Sequence, residues 1–329
     1  MAVPCVRVRP QDGEATRQRL ADAGLLEYAY AITVEDEWLY LPVTDPDAVP
    51  DELPVVTREL EPRDDQTMPA DLLAFDPSYE RLGEIAIIDE DDPDRAQRIA
   101  DAIMRSDLPV ETVVNRASKI KGDQRVREWD VLAGDGTETI HREYGHEFLV
   151  DIADVYFSPR LATERRRVTQ QATADEQVCD MFCGVGPFVI PFAARGADVI
   201  GVDINPTAIE YLRENARRND VADRVTAIHG DVRDIATEYA GWADRLVMNL
   251  PHSADAFLDT ALELAGDDCW LHYYDIQHEG DPFGPGERAI ETAAAPTYEV
   301  SVETRHRVRS YAPHELNVCL DVRLVRHEA

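Results

Sequence analysis

The chain of 329 residues contains little lysine and no long apolar run. Lys119 and Lys121 are its two lysines among 33 cationic residues, against 65 acidic ones. The net charge of −32 is spread along the chain, and 44% of residues are hydrophobic, which excludes a disordered acidic tail. Such a composition is typical of a surface adapted to high salt, where charge repulsion is screened. The acidic total therefore does not exclude a nucleic-acid partner, and local departures from it are more informative.

The chain also has few cysteines, and no spacing pairs them. Cys179 and Cys183 are close in sequence, but no second pair or histidine cluster completes a zinc site, so we expect no metal. No apolar run approaches membrane-spanning length, and the N-terminus has no apolar signal region. We therefore expect a cytoplasmic protein that does not contact a membrane.

Residues 1–66 predict a small α/β domain. Asp12–Ala23 has a helical pattern, and Tyr28–Thr33 and Glu37–Val43 alternate like the two strands of a hairpin. The stretch Thr44–Gln66 is rich in proline and aspartate. This composition predicts a linker after the first domain.

Residues 67–154 predict a second small α/β domain, and residues 155–329 a larger one. From Tyr156 onward, short apolar strands alternate with helices, which is the pattern of a parallel sheet. Two closely connected strands, Tyr298–Val308 and Asn317–Val325, fit an antiparallel pair at the sheet edge. We therefore predict an α/β protein with a Rossmann-like domain, a parallel sheet with an antiparallel edge strand, preceded by two small α/β (α+β) domains.

Two glycines follow the first strand of the predicted sheet. Gly184 and Gly186 come directly after Gln177–Met181, where glycine lets the backbone approach a bound ligand closely. Asp203 closes the next strand, where a carboxylate can accept both hydroxyls of a ribose. Asn205 is the predicted cap of the following helix, so Asp203 is free of that role. These two loops predict a nucleoside cofactor bound across the strand ends.

The loop Asn249-Leu250-Pro251 separates two kinds of cofactor enzyme. NAD-dependent oxidoreductases share the layout, but Val189 stands where their G-x-G-x-x-G motif has its third glycine. An amide fixed beside a proline can orient a planar nucleophile, which hydride transfer does not require. A structural turn is the alternative for this loop. Asp231 lies where it could meet an adenine amino group, and a solvated loop carboxylate is its alternative.

Together these motifs resemble the archaeal and eukaryal tRNA (guanine-37-N1) methyltransferase family. The most specific segments are Tyr156–Arg165, Asp180–Pro187 and Met248–Pro251. The resemblance implies a class I Rossmann-like methyltransferase domain, the cofactor S-adenosylmethionine, and methyl transfer to N1 of guanine 37 in tRNA. It implies contacts with the anticodon loop and the tRNA body, a first domain that recognises tRNA and a middle domain that contributes to RNA binding and the active site. We also expect a monomer.

Two other functions remain open. A related enzyme of the wyosine pathway transfers the aminocarboxypropyl group of the same cofactor, to a precursor at the same tRNA position. A catalytically silent RNA-binding protein is the alternative outside enzymes. The intact Asn249-Leu250-Pro251 loop favours methyl transfer, because a guanine-holding amide belongs to that reaction.

The resemblance assigns catalytic roles residue by residue. Glu164 matches a proposed general base, and Arg125 matches an arginine on guanine O6, although Arg127 is close enough to be confused with it. Asn249 and Pro251 match the loop that holds the base. Guanine N1 is a poor nucleophile until its proton leaves, so a carboxylate base and a cation on O6 agree with the chemistry. An ordinary surface glutamate is the alternative for Glu164.

The resemblance places Arg165, Asp203 and Asp231 around the cofactor. The full set of residues expected there is Arg165, Asp180, Phe182, Gly184, Gly186, Asp203, Ile204, Asp231, Val232 and Asn249. Basic segments that persist in so acidic a chain indicate phosphate contacts. The residues expected on RNA are Arg116, Lys119, Lys121, Arg127 and Arg160. A compensating salt-bridge network is the alternative for these basic segments.

Overall fold

A computed structural model of the chain describes residues 2–35, 37–50, 52–62, 66–116 and 128–328. They fall into two compact units, Met1–Thr67 and Met68–Ala329. None of the helices in these ranges combines the length and apolar composition that a bilayer crossing requires. The domain divisions expected at residues 66 and 154 stay predictions.

The first unit is a four-stranded antiparallel sheet with one helix. Its strands are β1 (Ala2–Val8), β2 (Thr33–Glu35), β3 (Trp38–Pro42) and β4 (Val55–Glu59), in the order β2-β3-β1-β4, and the helix is α1 (Gly13–Asp22). The hairpin prediction is wrong for Tyr28–Thr33, where only the last residue is in a strand. The linker prediction is wrong for β4, which pairs with β1. Side chains of β4 alternate between exposed and half-buried, so its sequence carries little apolar signal.

The second unit begins with a four-stranded sheet and a separate hairpin. The sheet contains β5 (Glu80–Leu82), β6 (Ile85–Ile88), β7 (Thr112–Arg116) and β8 (Trp129–Ala133), in chain order, and the hairpin contains β9 (Glu138–Glu143) and β10 (His146–Asp151). The helix α2 (Pro93–Arg105) links the parallel strands β6 and β7. Its side chains Ala96, Ile99 and Ile103 pack with Ile88 and Val113, because they recur at helical spacing.

The rest of the second unit is built on a seven-stranded sheet. Its strands are β11 (Gln177–Asp180), β12 (Asp198–Asp203), β13 (Val225–His229), β14 (Ala243–Met248), β15 (Ala265–His278), β16 (Tyr298–Ala312) and β17 (Glu315–Arg326). The order is β13-β12-β11-β14-β15-β17-β16. The strands β11 to β15 are parallel, and β17 lies antiparallel between β15 and β16. The predicted Rossmann-like sheet and its antiparallel strand are confirmed.

Six helices accompany this sheet: α3 (Ala162–Thr169), α4 (Val189–Ala194), α5 (Pro206–Arg218), α6 (Val232–Ile235), α7 (Leu258–Leu264) and α8 (Gly284–Ala294). One side of the sheet, here called the α3 face, buries Val168, Val189, Leu212, Tyr274 and Cys319. The other side, the α8 face, buries Val232, Leu258, Tyr273, Ile290 and Leu320. Neighbouring residues therefore divide between the two faces, as the pleat of a strand requires.

Candidate cofactor and active site

The loop after β11 is shaped by its two glycines. Gly184 has a φ of +53° and Gly186 a φ of +91°, which L-residues with a side chain rarely adopt. A Cβ at Gly186 would overlap Cδ1 of Leu212 on α5, whereas a Cβ at Gly184 would lie 3.8 Å from its nearest neighbour, the carbonyl oxygen of Tyr156. Glycine is thus required at position 186 by backbone and space, and at 184 by backbone.

Asp203, the last residue of β12, connects the glycine-containing loop after β11 with the loop that follows β12. Its Oδ2 accepts a hydrogen bond from the Gly184 N–H at 2.8 Å, and its Oδ1 accepts one from the Asn205 N–H at 2.8 Å. Asn205 accepts from the Thr207 N–H at 3.0 Å, so the predicted cap of α5 is confirmed. Burial raises the pKa of Asp203. The carboxylate is held in place, and its remaining lone pairs are available to ligand hydroxyls.

A second buried carboxyl lies near Asp203. Asp180 ends β11 with 1% of its surface exposed, and it accepts a hydrogen bond from the Phe182 N–H at 3.2 Å. Burial raises the pKa of Asp180 to about 7, and the negative charge of Asp203 adds to the increase. Two carboxyls that share a dry site resist simultaneous ionisation. A positively charged ligand would favour the ionised pair.

The other residues expected at the cofactor differ in exposure. Ile204 is 42% exposed, Val232 is buried, and Phe182 packs edge-on against Phe257 at 4.9 Å between ring centroids. Asp231 caps α6 by accepting from the Arg233 N–H at 2.9 Å, and it also forms an ion pair with the Arg233 side chain. That ion pair lowers the pKa of Asp231. Its contact with an adenine amino group stays a prediction.

Arg165 points into the protein, where it is 2% exposed. Its guanidinium donates to both oxygens of Glu143, at 2.8 and 2.5 Å, and to the Ser158 carbonyl at 3.1 Å. Burial alone would raise the pKa of Glu143, but hydrogen bonds from Arg165 and His141 outweigh it, and the pKa is lowered. Arg165 thus ties α3 to the β9–β10 hairpin. Its contact with the cofactor stays a prediction.

Glu164 lies on the α3 face, and its side chain is 4% exposed. The alternative of an ordinary surface glutamate is therefore wrong. Its carboxylate accepts hydrogen bonds from Arg167 at 2.8 Å on each oxygen and from the Tyr274 hydroxyl at 2.9 Å. Nε2 of His306 lies 3.2 Å from Oε2. Contacts from α3, β15 and β16 thus fix this carboxylate.

A chain of polar contacts extends from Arg167 across the α3 face. Arg167 also donates to both oxygens of Asp321, at 2.5 and 3.1 Å. His272 is the next residue of the chain of contacts, and burial lowers its pKa, so its ring is neutral. A guanidinium donates only, so Nε2 of His272 accepts from Arg245 at 2.7 Å, and Nδ1 donates to Asp321 at 2.8 Å. Burial would raise the pKa of Asp321, but bonds from His272 and Arg167 hold it well below its usual range.

The loop after β14 lies at the same level of the sheet as Glu164. Met248, the last residue of β14, pairs with Tyr273, so Asn249 comes level with Tyr274, the residue that donates to Glu164. Within the described part of the chain, the half-buried Asn249 amide has no hydrogen-bond partner. Its donor and acceptor are therefore available to a planar ligand.

A cleft of about 210 Å³ lies beside the same loop. It is lined by Pro251, His252, Asp255, Tyr273, Asp275, Ile276, Gln277, Pro285 and Ala289. Tyr273 belongs to the α8 face, whereas Glu164 bonds to Tyr274 on the α3 face. Pro251 therefore lines a cleft on the α8 face, whereas Glu164 lies on the α3 face.

The residues expected on RNA are only partly described. Arg116 donates to Glu80 at 2.7 Å and to Asp89 at 3.1 Å, and Arg160 donates to Glu80 at 2.9 Å. These ion pairs fit the salt-bridge alternative, and the phosphate contacts of both arginines stay predictions. The remaining expected residues lie outside the described residues: Lys119, Lys121, Arg125 and Arg127.

The chain is similar to known proteins along most of its length. A model of the TRM5/TYW2 methyltransferase domain matches residues 139–303. Models of the tRNA methyltransferase 5 N-terminal domain and the TYW2 N-terminal domain match residues 5–50 and 65–137. The chain is 41% identical to the tRNA (guanine(37)-N(1))-methyltransferase Trm5b of Pyrococcus abyssi, in an alignment that covers 97% of this chain and 98% of that protein.

Solved structures of Trm5 and TYW2 proteins are also similar to this chain. The complex of aTrm5 with tRNALeu matches with a TM-score of 0.71 and 32% identity, covering 98% of this chain and 99% of that one. Methanocaldococcus jannaschii TYW2 in complex with AdoMet matches with a TM-score of 0.62 and 27% identity, covering 76% of this chain and all of that one. The match to aTrm5 therefore includes a part of this chain that the match to TYW2 leaves out.

Proposed function

Because this chain belongs to the TRM5/TYW2 methyltransferase family, we propose that it transfers the methyl group of S-adenosylmethionine to N1 of guanine 37 in tRNA. The chain is a tRNA (guanine(37)-N1)-methyltransferase, with the cofactor of its family. The observation that carries the chemistry is that strand pairing brings the available amide of Asn249 level with Tyr274, the residue that donates to the buried Glu164.

The residues at the strand ends fit this cofactor. Gly184 and Gly186 allow close approach of the backbone, and the fixed carboxylate of Asp203 has lone pairs for two ribose hydroxyls. Ile204 offers exposed apolar surface to the adenine, and Asp231 an acceptor to its amino group. S-adenosylmethionine supplies a methyl group on positively charged sulfur. That positive charge favours ionised carboxylates at Asp180 and Asp203.

Glu164 removes the N1 proton of guanine, which makes N1 nucleophilic. Arg125 places a positive charge beside O6, where negative charge develops as the proton leaves. Asn249 accepts a hydrogen bond from the edge of the base, and Pro251 restricts the loop that carries it. General base catalysis of this kind typically contributes about 10²–10⁴-fold. A base in a stem-loop must be splayed out to reach these groups.

The proposed partner is tRNA, bound at the anticodon loop and at the body. The full-length match to aTrm5 supports this partner, since that structure is a complex with tRNALeu. The segment from Arg116 to Arg127 contains both lysines of the chain and begins, in sequence, at the last residue of β7. It is the proposed phosphate-binding segment of the second unit.

Aminocarboxypropyl transfer is the second candidate. Its support is the relative of Pyrococcus horikoshii named tRNA(Phe) (4-demethylwyosine(37)-C(7)) aminocarboxypropyltransferase, 34% identical over 67% of this chain. The test is the mass of nucleosides from tRNA incubated with S-adenosylmethionine in high salt. We expect a gain of one methyl group at guanine 37, and no gain in a matched transcript with adenine 37. A gain of the larger group, or no change in either tRNA, would contradict the proposal.

A further inference from the structure

The carboxylate of Glu164 has a partner at each of its acceptor positions. Oε1 accepts from the Tyr274 hydroxyl and from Nη2 of Arg167. Oε2 accepts from Nε of Arg167 and faces Nε2 of His306 at 3.2 Å. A carboxylate offers about four lone-pair positions, of which three accept hydrogen bonds here, and Nε2 of His306 stands at the fourth. Guanine N1–H can therefore bind Glu164 only when one of these partners leaves.

His306 is the donor that can leave with the least disturbance. Its side chain is 38% exposed on the edge strand β16, whereas Tyr274 is 1% exposed. Arg167 is held from its other side by Asp321. Each of the other donors therefore leaves only if buried packing or a second ion pair is broken.

We propose that His306 is a positioning residue that occupies the proton-accepting position of Glu164 in the free protein. It gives way to guanine N1–H, and after methyl transfer it returns and carries the proton to water. This inference rests on the proposed function, because it requires Glu164 to be the base. His306 suits the second task, since its ring reaches both the buried carboxylate and solvent.

Each turnover moves one proton from guanine N1 to water. The N1–H bond breaks and Glu164 gains the proton at Oε2. The N1 electron pair forms the bond to the methyl group, while the methyl–sulfur bond breaks and leaves its electron pair on sulfur. Neutral His306, which exchanges with water to the Nδ1–H tautomer while it is displaced, then accepts the proton from Glu164 at Nε2. The imidazolium releases its Nδ1 proton to bulk water, and Nε2–H again faces Oε2. No other reactant is needed.

The test compares His306→Ala and His306→Asn in single-turnover and multiple-turnover methylation of tRNA, with and without added imidazole. His306 carries the proton after methyl transfer, so His306→Ala should keep its single-turnover rate. We expect its multiple-turnover rate to fall by about 100-fold with unchanged tRNA and cofactor affinity, and imidazole to restore much of it. His306→Asn can donate to Glu164 but cannot carry a proton, so it should stay slow. The matched control is His327→Ala, since His327 lies beyond β17 and contacts the Ala295 carbonyl.

The inference is overturned if His306→Ala keeps the full multiple-turnover rate, if its single-turnover rate falls as much, or if its turnover is slow and imidazole has no effect. Glu164→Gln separates this failure from that of the proposed function. If Glu164→Gln is fully active, Glu164 is not the general base and the proposed mechanism is refuted. If Glu164→Gln is inactive and His306→Ala is fully active, only the proposed role of His306 is refuted. Thermal unfolding of each variant identifies misfolding, and His306→Asn decides if His306→Ala is unfolded.

Discussion

The carboxylate of Asp203 accepts a hydrogen bond from the backbone N–H of Gly184, so the ends of β11 and β12 are joined where the cofactor is proposed to bind. We expect Asp203→Ala to weaken S-adenosylmethionine binding by about 10- to 100-fold, since a hydrogen bond to a charged group contributes roughly 1.5–3 kcal/mol. Calorimetric titration measures this change. Asp198→Ala, at the exposed start of the same strand, is the control. Equal affinity in both variants would refute the ribose contact.

Gly186→Ala should destabilise the protein more than Gly184→Ala. Both residues have positive φ, which costs an alanine roughly 1–2 kcal/mol. At position 186 the added Cβ also overlaps the buried Leu212, whereas the Cβ at 184 has room. We expect unfolding free energies lowered by about 1 kcal/mol for Gly184→Ala and by more than about 2 kcal/mol for Gly186→Ala. Urea titration checks the order, and equal losses would be inconsistent with the overlap.

Arg165→Ala should lower the free energy of unfolding by about 3–5 kcal/mol, because it leaves the Glu143 carboxylate buried without its cation. The double variant Glu143→Gln/Arg165→Ala should lose less. The pKa of Glu143 is lowered on folding, so its contribution is present above about pH 4.5 and is lost as the pH falls towards the folded value. Urea titrations at pH 7 and pH 4 test both statements. Additive losses would show that the pair is not coupled.

Asp180 should make the cofactor-free protein less stable as the pH rises. Burial raises its pKa from 3.8 to about 7, so between these values the folded state holds a proton that the unfolded state has lost. The free energy of unfolding then falls by roughly 1 kcal/mol per pH unit at most. Comparing unfolding at pH 5.5 and pH 7 tests this, and Asp180→Asn should flatten the difference. An unchanged pH dependence in Asp180→Asn would assign it to other groups.

Glu164→Gln and Asn249→Ala should both lose methylation while tRNA binding largely survives. The first variant cannot accept the N1 proton, and the second cannot hold the base edge, so we expect rate losses of about 100-fold or more in single-turnover assays. Ser253→Ala, in the same loop as Asn249, is the control. Loss of tRNA binding in step with the rate would point to misfolding or to a binding role.

Local sequence patterns were sufficient to predict the strands of the large sheet. Mostly apolar runs such as Asp198–Val202 are flanked by glycines and by helix-capping residues. Along the sequence these runs alternate with helical segments. The strand β4 was missed because its side chains are exposed or half-buried, and it is fixed by backbone pairing with β1. A strand at a sheet edge needs little apolar sequence of its own, so pattern alone does not find it.

The cofactor loops could be predicted, but the partners of Glu164 could not. Asp203 and Asn205 act within a few residues of one strand end, and their spacing is visible in the sequence. Tyr274 lies 110 residues after Glu164, and Asp321 lies 154 residues after Arg167. No local period links residues at such separations. The available signal was the presence of His272 and Asp321 within the otherwise apolar segments Cys269–Tyr274 and Val318–Val322.

The strand β17 is last in sequence but lies between β15 and β16 in the sheet. Its Asp321 holds Arg167, which in turn holds Glu164. A ribosome must therefore synthesise β17, 154 residues beyond Arg167, before this carboxylate can be anchored. A nascent chain that has not yet reached β17 has the loops of the proposed cofactor site but lacks the support of the proposed base.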